Sequence, residues 1–125
     1  MKRMFAAVVL SALAMTGCTT AKYLRITDAP IGSDVPDDQI AAKIERALSN
    51  KGWQVGARRP GAIDAFVVIR EHRAEVTITY DNDSYSIEYL GSQNLDATQR
   101  TIHRNYNRWV ANLNTEIQGV MAGAR

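Results

Sequence analysis

Hydrophobic positions recur along this chain with two different periods, and the change of period marks out its elements. Between residues 36 and 51, Ile40, Ile44, Ala47 and Leu48 follow the i, i+4, i+7, i+8 spacing of one buried helical face. Pro36 suits a first turn, and Asp37 and Asp38 stand where the positive end of a helix dipole favours acids. Gly52 follows as a residue that ends a helix, and Trp53 comes next, placed to cover one end of a core. From there the period shortens to two. Residues 53–58 read as a short strand and Pro60-Gly61 as a turn. Residues 75–80 set Val76, Ile78 and Tyr80 on one side, Thr77 and Thr79 on the other. Asp81-Asn82-Asp83 is a turn cluster, and residues 84–90 alternate again, Tyr85, Ile87 and Tyr89 against Ser84, Ser86 and Glu88. Across residues 62–72 the alternation fails, because Ile63, Ala65, Phe66, Val67, Val68 and Ile69 put apolar groups on both sides. That pattern predicts an interior strand with something packed on each face.

The period returns to 3.6 over residues 96–121. Ile102, Tyr106, Trp109, Leu113, Ile117 and Val120 fall within an arc of about 80° at about 100° per residue, and Asp96 with Gln99 resembles a capping pair. Short connections between successive strands imply an antiparallel meander. The expected fold class is therefore α+β. It is a two-layer domain of helix, three- to four-stranded antiparallel meander and long helix, with both helices on one sheet face. The other face is expected to carry Thr77, Thr79, Ser86 and Glu88, with Phe66 and Val68. This single domain spans residues 36–125. Residues 18–35 hold Thr19, Thr20, Asp28, Pro30, Gly32, Ser33 and Asp34 and keep no period, so they read as a tether. Within it Tyr23, Leu24 and Ile26 have the composition of a short docked strand.

The first 17 residues need a separate reading. Lys2 and Arg3 precede an apolar run from Met4 to Met15 broken only by Ser11. A dozen residues reach about 18 Å as a helix, short of the ~30 Å hydrocarbon core, so the run suits a cleaved signal better than a spanning helix. It ends in Leu13-Ala14-Met15-Thr16-Gly17-Cys18, which resembles the bacterial lipobox, with Met15 in place of the usual Leu. The resemblance implies cleavage before Cys18, acylation of its sulfur and attachment to a membrane by lipid. Thr19 rather than Asp after that cysteine implies the periplasmic face of the outer membrane.

Cleavage changes the charge. The whole chain has 15 basic and 13 acidic residues; losing Lys2 and Arg3 leaves 13 of each. Neither that balance nor the compartment favours a nucleic-acid partner. Cys18 is the only cysteine, so the fold has no disulfide and rests on its core. No catalytic set is recognisable. His72 and His103 are isolated and lack the spacing of a metal site, so no metal and no cofactor is expected. Ser92 lacks the flanks of a nucleophile elbow, and Asp81, Asn82 and Asp83 lack the central Gly and terminal Glu of a calcium loop.

One polar constellation remains. Arg100, Arg104 and Arg108 recur every four residues and would form a basic stripe on the last helix, opposite its buried arc. Such a stripe is either a solvated face or a docking surface for phosphate or carboxylate groups, as on lipid A, peptidoglycan or an acidic protein. Tyr80, Tyr85 and Tyr89 share sides with Val76, Ile78 and Ile87 and read as core.

The segment Ile102-His103-Arg104-Asn105-Tyr106-Asn107-Arg108-Trp109, with Tyr85 to Tyr89, Gly52-Trp53 and Pro60-Gly61, resembles a family of small proteobacterial lipoproteins across roughly residues 36–117. The resemblance implies the envelope compartment and a single domain, and carries over no activity, ligand or catalytic residue. The expected function is that of a lipid-anchored, non-enzymatic envelope protein that binds a protein partner or supports an assembly. The alternative is a binder of an envelope small molecule or glycan, through the arginines or the free sheet face.

Overall fold

A computed structural model describes residues 19–123. The expected signal peptide, residues 1–17, and Cys18 lie outside the described residues. In chain order the elements are β1 (Thr20–Lys22), β2 (Ile26–Pro30), a single 3-10 turn (Asp37–Gln39), α1 (Ile40–Asn50), β3 (Gln54–Arg59), β4 (Ala62–Ile69), β5 (His72–Tyr80), β6 (Ser84–Gln93), β7 (Thr101–His103) and α2 (Arg104–Met121). The fold is α+β, as the two periods require. A five-stranded antiparallel sheet runs in the order β2-β6-β5-β4-β3, and a two-stranded sheet pairs β1 with β7.

The meander is built by local chemistry. Pro60-Gly61 closes the β3–β4 hairpin, with Gly61 at φ +76°, where an added Cβ would lie 3.3 Å from the Tyr80 carbonyl oxygen. Asp81 closes the β5–β6 turn by accepting from the amides of Asp83 and Ser84 at 2.8 and 2.9 Å. These bonds to the charged form hold the Asp81 carboxyl below its usual range.

Alternation then decides the faces. Ile63, Ala65 and Val67 of β4, Ala74, Val76 and Ile78 of β5, and Tyr85 and Ile87 of β6 join one buried cluster with Ile40, Ile44 and Leu48 of α1 and with Tyr106, Val110, Leu113, Ile117 and Val120 of α2. Each fully buried Ile or Leu contributes about 1.5–3 kcal/mol of transfer free energy. Trp53 caps this core as its position suggested.

Four expectations need correction. Residues 19–35 are not the tether expected of 18–35: β1 and β2 are both paired, and Ala29, Ile31 and Val35 are buried. The segment supplies the fifth strand, beside β6; of the short strand expected at Tyr23, Leu24 and Ile26 only Ile26 lies in a strand, and β2 is broken by a bulge at Asp28, φ 52°.

Residues 62–72 are not one strand. The chain reverses at Arg70-Glu71, Arg70 taking φ 59°, and His72 opens β5. No Gly, Pro, Asn or Asp marks this turn, so composition gave no sign of it. Nor is β4 covered on both faces. Val68 is 53% exposed on the outer side, and the Phe66 ring there is covered by the Arg73 guanidinium 4.0 Å from its centroid.

The last helix begins at Arg104, not at residue 96. Asn94 and Asp96 adopt positive φ, and the Thr98 hydroxyl accepts from the amides of Arg100 and Thr101 in a local turn. Thr101–His103 then pairs with β1, and His103 caps the helix, its Nδ1 accepting from the Asn105 amide at 3.1 Å.

Candidate functional site

Side chains on the outer sheet face form two linked groups. Arg59 donates to both oxygens of Asp64 at 2.9 and 3.0 Å, and the Thr77 hydroxyl donates to the same carboxylate at 2.7 Å. Those bonds, the Arg59 guanidinium foremost, hold the Asp64 carboxyl below its usual range. Beside them Arg73 stacks on Phe66 and donates to Glu75 at 2.7 Å. Leu90 lies on the outer side by the alternation of β6, 49% exposed, and is the extra residue at the bulge opposite Glu75 and Val76. Between these groups runs a groove of about 200 Å³ lined by Gly56, Ala57, Phe66, Arg73, Glu75 and Leu90. It is floored by an apolar ring, and Arg73 and the carboxylates of Asp64 and Glu75 line it. Val68 and Leu90 lie to either side of Arg73 and Glu75, on a face that no element among the described residues covers.

The arginines do not form the stripe expected of them. Arg104 and Arg108 sit in the first two turns of α2, both exposed, but Arg100 precedes the helix in the loop before β7. Its neighbours are Lys22, Tyr23, Arg25 and Gln99, around a cleft of about 290 Å³. Sequence reasoning missed Lys22 and Arg25 because they lie in the segment read as a tether. The pairing of β1 with β7 is what brings them to Arg100.

The Ile102–Trp109 segment explains why that N-terminal segment is held. Asn107 grips it with both ends of its amide, Oδ1 accepting from the Leu24 amide and Nδ2 donating to the Lys22 carbonyl, each at 2.8 Å. The Arg104 amide donates to the Thr19 carbonyl at 2.9 Å. Tyr106 is fully buried and meets Tyr23 and Tyr89 edge-to-face, with centroids 6.0 and 5.6 Å away. The Tyr23 hydroxyl donates to the Thr98 carbonyl at 2.7 Å, and Tyr89 and Ser92 share a hydrogen bond at 2.8 Å. Among the described residues the Tyr106 hydroxyl has no partner, and burial pushes its ionisation well above the usual tyrosine range. A second cleft of about 240 Å³, lined by Tyr23, Arg25, Glu88, Tyr89, Thr98 and Gln99, adjoins this cluster.

The remaining candidates separate in space. His72 Nδ1 lies 2.7 Å from the Asn94 carbonyl oxygen, while His103 caps α2. Among the described residues no three His, Cys, Asp or Glu side chains gather as a metal site. Among the same residues no helix is long and apolar enough to cross a membrane. No protein-family model matches the chain, and no curated protein matches it.

Proposed function

We propose that this chain is a lipid-anchored protein of the bacterial envelope, held at the periplasmic face of the outer membrane through Cys18. It acts without catalysis, by binding a protein partner on the outer face of its sheet. The observation that carries the reading is Val68 and Leu90, two large apolar side chains about half exposed on β4 and β6 of one sheet face, with Arg73 and Glu75 on β5 between them. Large apolar side chains exposed beside matched charges on one face are a mark of a protein interface. Size favours a protein over a small ligand. The groove of about 200 Å³ falls below the roughly 300–1,000 Å³ of ligand pockets, whereas a flat sheet face suits a broad partner. Lipid anchoring fits the lipobox-like run ending in Cys18.

The test is photocrosslinking in cells, with the crosslinking residue placed at Val68, at Leu90 and, as a control, at the exposed Gln118 of α2. One abundant envelope protein captured at Val68 and Leu90, absent at Gln118 and lost on Cys18→Ser, is the expected result. Equal capture at all three positions, or no capture on the sheet face, refutes the reading.

A further inference from the structure

We propose that Lys22, Arg25, Arg100 and Arg104 form a membrane-facing rim that docks on the phosphates of anionic phospholipids in the leaflet holding the acyl chains of Cys18. This rests on the lipid anchoring proposed above and adds an orientation to it. The distance from anchor to fold fixes which surface meets the membrane. A flexible tether of 17 residues would let the domain wander with a root-mean-square reach of about 22 Å. No such tether exists here. The Thr19 carbonyl already accepts from the Arg104 amide, β1 starts at Thr20, and Asn107 clamps Lys22 and Leu24. Cys18 is bonded directly to Thr19, so about 3.8 Å of chain separates the acylated residue from the first fixed one. The surface around Thr19 must therefore lie at the headgroups.

That surface is basic. Lys22, Arg25 and Arg100 line one cleft, and Arg104 follows β7 where its amide meets Thr19. All four are exposed. Among the described residues none of them makes an ion pair, whereas Arg58, Arg59 and Arg73 on the sheet are each matched to a carboxylate. Glu88 lines the adjoining cleft beside Arg25, one acid against four cations. The N-terminal end of the 18-residue α2 adds the positive pole of its dipole on the same side. Charges held within a Debye length of about 8 Å of an anionic surface are attracted to it, by about fivefold in the docking equilibrium per basic residue.

The experiment uses the acylated, full mature protein reconstituted into vesicles. Acylation of Cys18, the only cysteine, leaves an introduced one as the sole free thiol. A fluorophore is placed at Gln99→Cys in the rim or at Gln118→Cys, about 21 Å along α2 from Arg104. Quenching by nitroxide headgroup lipid is then compared in vesicles of phosphatidylcholine with and without 30% phosphatidylglycerol. With phosphatidylglycerol the Gln99 label should be quenched at least threefold more than the Gln118 label, and high salt should shrink the difference. Lys22→Glu/Arg25→Glu/Arg104→Glu should weaken docking by about a hundredfold or more, and Arg100→Gln alone by about fivefold. Equal quenching at the two positions, or no response to either variant, overturns the docking surface. The intact mass separates the two ideas: a chain without acyl mass on Cys18 overturns the anchoring itself, and with it this proposal.

Discussion

Tyr106 and Tyr85 offer a matched pair in which one substitution should have opposite effects. Both side chains are buried, at 0% and 1% exposure. The Tyr85 hydroxyl donates to the side-chain oxygen of Asn114, and burial pushes its ionisation up to about 12. The Tyr106 hydroxyl has no partner among the described residues. A buried hydroxyl without a hydrogen bond costs about 1–3 kcal/mol, because its water is lost and nothing replaces it. Tyr106→Phe removes that cost and keeps the ring, so the edge-to-face contacts with Tyr23 and Tyr89 persist. The void left is one oxygen, about 15 Å³, worth about 0.4 kcal/mol against the variant. The net expectation is a gain of about 1 kcal/mol, or a rise in Tm of about 4–6 °C for a domain of this size. Tyr85→Phe deletes a made bond and strands the Asn114 oxygen, which predicts a loss of about 1–2 kcal/mol. Urea unfolding at pH 7, followed by far-ultraviolet circular dichroism, measures both, and an unchanged slope would show that only stability moved. If Tyr106→Phe loses more than about 0.5 kcal/mol, the hydroxyl has a partner such as an internal water, and the reasoning from an orphaned group fails.

Other expectations follow from single contacts. Asn107→Ala should cost about 2 kcal/mol by releasing two backbone groups, and hydrogen exchange at the Leu24 amide should speed up before that of the sheet. Asp64 is held below its ordinary value of 3.8, so its contribution is present above that pH and is lost as the pH falls through the lower folded value. The urea midpoint of Asp64→Asn should therefore lie below that of the parent at pH 7, and the two should converge as the pH falls through the lowered folded value. Val68→Lys with Leu90→Lys should leave stability within about 0.5 kcal/mol, since both sites are about half exposed, while abolishing partner capture on the sheet face. Gly61→Ala should cost about 1–2 kcal/mol, because φ +76° and the nearby Tyr80 carbonyl both oppose a Cβ; thermal unfolding reads it directly.

Periodicity alone determined a good part of this fold. Ile40, Ile44, Ala47 and Leu48 mark the buried face of α1, and Val76, Ile78, Tyr85 and Ile87 mark the inner face of β5 and β6, since a repeat of 3.6 or 2 maps directly onto one side of a helix or strand. Turns with Pro-Gly or an aspartate cluster were legible for the same local reason. What only the tertiary structure decided depends on partners distant in sequence. β2 is a strand because β6 offers it an edge, and β1 because β7 does. Residues 101–103 continue the helical pattern of hydrophobicity, yet Ile102 is buried from a strand, since pairing with β1 and capping by His103 prevail over the local period. That competition takes Arg100 off the helix and sets it beside Lys22 and Arg25. The arginine spacing named the basic residues, but their shared surface exists because two short strands some 80 residues apart meet, and no local period carries such a contact.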